Sequence, residues 1–268
     1  MPLDKAAIPG AHNIMRQTYT NGMTVLVKEN FSSPSVVIDG LVRAGAADDP
    51  IGKEGVSAFT SHMVMRGTER RTFAQIYEEI EAVGATVDVS SGINVTSFGA
   101  KSLAEDLPLI ADVLADVLQQ PAFPEIEVEK ERGEILTDLQ ERANNTRRMA
   151  SLTMRELLYP AGHPYKRSVI CYTETIAPMT RAEVADYHRA AYGAHDLIVS
   201  IVGAVKAADA LQIWGERFGS WEGAQVERGH VPGVPRLAER REKRVDLPGK
   251  SQSDLVLGLV GPARSAPN

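Results

Sequence analysis

Residues 54–68 read EGVSAFTSHMVMRGT, a run of small and apolar side chains around a single histidine, His62. Val56, Phe59 and Met63 recur at the spacing of one helix face, so the run predicts a helix with its apolar side in a protein core. A histidine on such a helix is a metal ligand, a catalytic group or an ordinary core-side residue. The rest of the sequence has to decide among these three interpretations.

The chain on either side of this helix predicts alternating strands and helices. Turn residues such as Asn21-Gly22 join neighbouring apolar runs in the manner of hairpins. This order favours an α+β fold with a mostly antiparallel sheet over regular βαβ units. Strands are predicted at residues 24–29, 35–45 and 196–205, with one or two more strands over residues 86–101. Helices are predicted at residues 73–83, 103–118 and 181–192 and in the segments that begin near 125 and 206; Thr180 and Glu183 form a capping-box pattern before residues 181–192.

The C-terminal part of the chain differs in composition from the rest. Residues 219–249 are rich in glycine, proline and charge, as linkers are, and residues 253–263 (SDLVLGLVGPA) predict one more apolar strand. We therefore expect a domain over residues 1–219, a linker over 220–249, and the start of a second, incomplete domain over 250–268.

Composition excludes several classes of protein. The net charge of −6 argues against nucleic acid as a partner, because phosphate binding needs a dense basic surface. The single cysteine, Cys171, rules out an internal disulfide or a Cys-x-x-Cys metal site, and a packed thiol is the expectation for it. No apolar run approaches the length of a membrane span, and the first ten residues lack the pattern of a signal peptide, so a cytoplasmic location is predicted.

Four stretches together resemble the M16 family of metallopeptidases, which includes pitrilysin, insulinase and the mitochondrial processing peptidases. They occur in the family's order and cover nearly the whole chain. The resemblance implies the M16 (LuxS/MPP-like) fold, with helices packed on one face of the antiparallel sheet, and a C-terminal piece that enters a second homologous domain. The stretches are residues 21–72, 84–96 (GATVDVSSGINVT), 129–141 (EKERGEILTDLQE) and 163–203.

The resemblance also implies a zinc motif, His-x-x-Glu-His, on the helix of residues 54–68. Two histidines four residues apart share one helix face and bind zinc, and the glutamate acts as general base toward the metal-bound water. This chain has Ala58 at the first histidine, Ser61 at the base and His62 at the second histidine. A serine cannot act as a carboxylate base, so the resemblance predicts no catalytic residue here.

The family's third zinc ligand is a glutamate on a later helix, and this chain has the shorter Asp138 at that position. Glu131, two helical turns earlier, matches a supporting acid of the family. Catalytic zinc normally has three protein ligands, so His62 and Asp138 alone are expected to be remnants, with no cofactor bound. Under the alternative interpretation, a ligand that the motif does not identify joins His62 and Asp138 to hold zinc, with Glu131 as a further candidate ligand.

The resemblance places a peptide-binding strand in residues 84–96, where substrate adds to the edge of the sheet. Asp88, Val89, Ser90 and Ser91 are the predicted contacts, although the family has Asn-Ala where this chain has Asp88 and Val89. Strand addition uses backbone groups, so it does not require zinc. A plain sheet edge without a ligand is the competing interpretation.

These observations favour a non-catalytic M16 homologue that pairs with a homologous zinc-bearing chain as a heterodimer, or with itself as a homodimer, and binds peptide or unfolded polypeptide. An active zinc endopeptidase and a purely structural scaffold are the alternatives. The remaining histidines predict no site. We expect His163 of the HPY sequence in a turn, and His188 and His195 at the surface.

Overall fold

The core of the structure is one six-stranded sheet. The structure is a computed structural model that describes residues 8–223 and 231–262. The strand order is β1-β2-β6-β3-β5-β4, and every neighbouring pair is antiparallel except β2 and β6, which are parallel. The strands are β1 (Met15–Thr18), β2 (Thr24–Glu29), β3 (Ser35–Val42), β4 (Thr86–Ser91), β5 (Thr96–Leu103) and β6 (Ile198–Gly203).

The α-helices of the described residues follow the predicted order, with two further helices, α5 and the short α6, between the long α4 and α7. Thr180 and Glu183 form the predicted capping box at the start of α7, because each side chain accepts a backbone N–H of the other residue. The helices are α1 (Val56–Met63), α2 (Phe73–Ala82), α3 (Leu107–Gln119), α4 (Glu125–Ala143), α5 (Thr146–Leu158), α6 (Thr173–Ile176), α7 (Arg181–Ala191) and α8 (Ala207–Phe218).

The helices cover one face of the sheet. In β3, Val36, Ile38 and Val42 are buried, whereas Val37 and Asp39 on the other face are exposed. This alternation confirms the predicted α+β fold with a mostly antiparallel sheet and helices on one side. None of the described helices is long and apolar enough to cross a membrane.

Helix α1 packs against α4, α7 and strand β4. A buried carboxylate fixes its first turn, since Asp49 accepts the backbone N–H groups of Gly55 at 2.6 Å and Ser57 at 3.1 Å. Burial raises the pKa of Asp49 to about 6 despite these two bonds. Gly55 adopts a φ of 98° and lies directly against Cys171. This junction sets where α1 enters the core.

Several elements differ from the sequence prediction. The strand predicted at residues 35–45 ends at Val42, and residues 86–101 contribute to two strands, β4 and β5. Leu103 ends β5 and α3 begins only at Leu107, so the predicted helix starts too early. The strand predicted at residues 253–263 is wrong for residues 253–262, which form no strand, and residue 263 lies outside the described part. An apolar strand needs a neighbour to take its backbone hydrogen bonds, and the six strands offer none at this position.

Part of the chain after α8 contacts α5: Arg241 bonds the carbonyl of Leu157, and Gly258 lies against Met154. Asp254 accepts a hydrogen bond from Thr146 at 2.5 Å, while Leu255, Leu257 and Leu259 are more than four-fifths exposed. Residues 231–249 contain no regular element, and residues 224–230 of the predicted linker lie outside the described part, as do residues 263–268. The division into a domain, a linker and an incomplete second domain stays a prediction.

The close contact between Gly55 and Cys171 predicts that a single methyl group added at Gly55 lowers the stability of the protein strongly. A Cβ at Gly55 would lie 2.0 Å from the Cβ of Cys171. We expect Gly55→Ala to lose about 1–2 kcal/mol from the left-handed backbone and a further ~1–3 kcal/mol from overpacking, measured by urea unfolding. Gly52→Ala is the control, because Gly52 shares a positive φ of 83° but a Cβ there meets nothing within 4 Å. Equal losses in the two variants would show that the contact with Cys171 is unimportant.

Candidate functional site

A cleft of about 480 Å³ lies beside β4, the last strand at one edge of the sheet. Helix α1 forms its floor, α2 contributes the aromatic side chains Phe73 and Tyr77, and α4 contributes carboxylates. The cleft contains all the residues that the sequence singled out for metal, catalysis and peptide: Ala58, Ser61, His62, Asp88, Val89, Ser90, Ser91, Glu131 and Asp138. The predicted site residues therefore come together at one place.

Ser61 is fully buried and both sides of its hydroxyl are engaged. It donates to the carbonyl of Ala58 at 2.8 Å and accepts the backbone N–H of Ser91 at 3.2 Å. The hydroxyl thus ties α1 to the end of β4. With Ala58 offering only a methyl group, neither residue presents an acid, a base or a ligand to the cleft.

His62 keeps the orientation typical of a metal ligand. Its Nδ1 lies 2.7 Å from Oε1 of Glu131, and this carboxylate also accepts from Arg66 at 2.6 Å. A carboxylate that holds one ring nitrogen leaves the other nitrogen available. Arg66 bonds Glu134 as well, at 2.5 Å, so the guanidinium lies between two acids of α4.

Glu131 is ionised more readily than an isolated glutamic acid. Burial favours its protonated form, but hydrogen bonds and charges of His62 and Arg66 outweigh this and lower the pKa of Glu131 below its usual 4.5. The supporting acid predicted from the sequence therefore lies beside His62, as expected. It is also the buried centre of an ion-pair network that the sequence did not predict.

Asp138 has a different partner. Both of its oxygens accept from the guanidinium of Arg148, at 2.9 and 2.8 Å, in a bidentate pair between α4 and α5. This hydrogen bonding lowers the pKa of Asp138. Sequence reasoning missed Arg148, because nothing in the spacing showed that α5 would turn back along α4. The only available signal was Asn144-Asn145, which permits a tight turn and caps α5.

The residues present do not fit a catalytic zinc ion. Among residues 8–223 and 231–262, no group of three or more His, Cys, Asp or Glu side chains is placed to hold a metal. Ala58 supplies no ligand, and Asp138 is already neutralised by Arg148. Of the set named by the alternative interpretation, His62 and Glu131 bond each other, and no third protein ligand joins them.

Three residues of β4 direct their backbone N–H groups away from β5, and Ser61 already accepts one of these groups. The N–H of Ser91 points away from β5, because it donates to Ser61. Residues of a strand alternate in direction, so Val87 and Val89 also face the open edge, whereas Asp88 and Ser90 face β5. Of the predicted contacts, Val89 therefore has the required backbone orientation, and the sequence reasoning omitted Val87.

The other histidines divide into two kinds. His195 is exposed, as predicted, and His163 accepts the backbone N–H of Tyr165 in a turn, also as predicted. The surface position predicted for His188 is wrong. It is buried, its Nε2 bonds the carbonyl of Leu118 at 3.0 Å, and burial lowers its pKa to about 4.

Cys171 has the packed environment that the sequence predicted. Its side chain is buried against Gly55. Burial raises the pKa of the thiol to about 12, so the nucleophilic thiolate is disfavoured. Although Cys171 borders the cleft, it has the character of a structural residue.

This fold and cleft are those of an M16 peptidase domain. The family profile described as Insulinase (Peptidase family M16) matches residues 24–171, more than half of the chain. A second profile, Peptidase M16 inactive domain, matches residues 178–268. The chain belongs to the M16 family.

Two curated relatives illustrate the similarity. The chain is 27% identical over 195 residues to a probable mitochondrial-processing peptidase subunit beta of Arabidopsis thaliana, covering 73% of this chain and 36% of the relative. It is 26% identical over 207 residues to the cytochrome b-c1 complex subunit 1 of Bos taurus, covering 77% and 43%. The chain therefore spans less than half the length of these relatives.

A solved structure supports the same fold. The M16 inactive domain of Pseudomonas fluorescens superposes with a TM-score of 0.77 at 22% identity, covering 84% of this chain and 54% of that one. At this identity the likeness concerns the fold alone.

The buried position of Glu131 predicts a specific pH dependence. Because its pKa is lowered in the folded state, its ion pairs stabilise the protein above the unfolded pKa near 4.5, and this stabilisation is lost as the pH falls through the folded pKa. We expect Glu131→Gln to cost about 1–3 kcal/mol at pH 7 and progressively less as the pH falls below 4.5. Urea unfolding of both proteins from pH 7 to pH 3 measures the difference.

Glu125→Gln on the exposed first turn of α4 is the matched control for that measurement. It removes a carboxylate from the same helix without touching His62 or Arg66. If the free energies of unfolding of wild type and Glu131→Gln differed by the same amount at every pH, the stabilising role of the Glu131 charge would be contradicted. The loss would then come from packing and not from charge.

Proposed function

We propose that this chain is a non-catalytic M16 homologue that binds peptide in the cleft beside β4 and works together with a homologous zinc-bearing chain. The observation that carries the proposal is Ser61. At the position of the family's general base there is a fully buried hydroxyl, bonded to Ala58 and Ser91, and no carboxylate. Proton transfer by a positioned base contributes about 10²–10⁴-fold to a rate, and this cleft has no such group at that position.

Peptide is the proposed ligand because β4 is the last strand of the sheet and no further strand pairs with its outer edge among the described residues. The backbone groups of Val87 and Val89 face away from β5, and Val87, Val89, Phe73 and Tyr77 all line the cleft. Main-chain hydrogen bonds of this kind provide affinity that does not depend on the peptide sequence. Every second side chain of the peptide would then contact the apolar lining of the cleft. An extended or unfolded polypeptide fits this description.

The proposed partner is a zinc-bearing M16 chain, in a heterodimer. The relatives from Arabidopsis thaliana and Bos taurus are both named as subunits, which supports an assembly. A homodimer is the other arrangement that the proposal allows. A cytoplasmic place of action remains a prediction from the sequence.

Co-expression tests the proposal directly. The purified chain alone is expected to contain no stoichiometric zinc and to cleave no peptide, as measured by metal analysis and by a fluorogenic peptide library. Co-expressed with a zinc-bearing M16 chain from the same genome, it should co-purify and raise peptide cleavage. Stoichiometric zinc that disappears in His62→Ala, with cleavage by the chain alone, would establish the active endopeptidase instead.

A scaffold without ligand is a second candidate, favoured by the similarity to the cytochrome b-c1 complex subunit 1 of Bos taurus. It requires an obligate partner surface and no affinity for peptide. Fluorescence anisotropy with labelled extended peptides separates the two functions, because only the first predicts saturable binding by the isolated chain.

The edge-strand model predicts that one backbone N–H of β4 is important for binding. Val87→Pro removes an outward-facing N–H but leaves the bonds to β5, which residues 86, 88 and 90 make. We expect about a tenfold or greater loss of peptide affinity, since one hydrogen bond is worth roughly 0.5–1.5 kcal/mol and the ring also blocks approach. Val87→Ala is the matched control, because it shortens the side chain and keeps the N–H. Equal affinity of both variants would show that peptide does not add to this edge.

A further inference from the structure

Four carboxylates line the cleft, and arginines from two other parts of the chain bond three of them. Arg66, three residues after the end of α1, bonds Glu131 and Glu134, and Arg148 of α5 bonds Asp138. Asp88 on β4 is the fourth acid of the cleft. Without a cation nearby, such a group of carboxylates would repel and take up protons.

The two arginines are held in different ways. Arg66 is mostly buried, lies over the ring of Phe73 at 5.0 Å and is fixed from several sides. Arg148 is one-third exposed and bonds Asp138 alone among the acids of the cleft. It reaches Asp138 because only two residues separate α4 from α5, so the first turn of α5 folds back beside the end of α4.

We propose that Arg148 takes the place of a metal ion as the counter-charge of Asp138, so that the cleft excludes zinc even where a further histidine ligand is supplied. The inference rests on the proposed non-catalytic function, in which the natural chain holds no zinc. A dication that approached Asp138 would have to displace a bidentate guanidinium or lie beside it, and both cost free energy. Under this proposal, zinc is excluded by Arg148 of α5, a residue outside the helix α1 that carries the motif positions.

Zinc binding by a restored ligand set tests this inference. Ala58→His supplies the absent histidine beside His62, and Arg148→Gln removes the competing cation. We expect A58H/R148Q to bind one Zn²⁺ about 10–100-fold more tightly than A58H, the range found when partners of metal ligands are changed. Competition with a chromophoric chelator measures the affinity, with zinc alone as the probe.

Two control variants make the result specific. A58H/R147Q removes a neighbouring exposed arginine of α5 that does not bond Asp138, and it should bind as weakly as A58H. Adding Asp138→Asn to A58H/R148Q should abolish the gain, because the freed carboxylate is then absent. Equal zinc affinity of A58H and A58H/R148Q, or a gain that survives D138N, would overturn the inference.

The natural background provides a second test in case Ala58→His prevents folding. Zinc should perturb the His62 ring signals in the NMR spectrum of R148Q and leave those of R147Q unchanged, and identical spectra would count against Arg148. Stoichiometric zinc in the unaltered chain would refute the proposed non-catalytic function by itself. Failure of the function and failure of the inference are therefore distinguishable.

Discussion

The structure depends on the burial of α1, a helix of eight residues of which seven are shielded from water. A helix so placed has to satisfy its polar groups internally or leave them unpaired at a cost of about 1–3 kcal/mol each. The hydroxyl of Ser61 bonds the backbone of Ala58 and Ser91, and Asp49 accepts the backbone N–H groups of Gly55 and Ser57 at the first turn. His62 is the one exposed residue of the helix. The geometry of the cleft thus follows from how α1 enters the core.

The sequence predicted those features that local patterns determine. Strand β2 and the capping box of Thr180 and Glu183 were placed correctly, because alternation and capping act within a few residues. The cleft could be assembled only through the family resemblance, since its residues come from α1, α2, β4 and α4. Alternation of β4 then showed which of its residues face outward, a property that needs the pairing with β5.

The failures have a common cause, which is contact between segments that sequence patterns do not join. His188 is a polar residue in the last turn of α7, which favours a surface position, yet its side chain is buried and bonds the carbonyl of Leu118 on α3. Leu255 and its neighbours have the apolar character of a strand, but no strand of the described residues pairs with them. Arg148 looks like one more charge on a solvated helix until the turn after α4 brings it to Asp138.

Metal chemistry and peptide binding are physically separable in this architecture. Zinc requires three protein ligands at fixed geometry, so a single change at Ala58 removes much of the site, and a guanidinium on Asp138 removes more. An open sheet edge requires only the backbone of β4, which its pairing with β5 and its bond to Ser61 keep in place. The ion pairs of Arg66 and Arg148 neutralise carboxylates that would otherwise repel. Under the proposed function, the surface on which an extended polypeptide would lie therefore requires no metal.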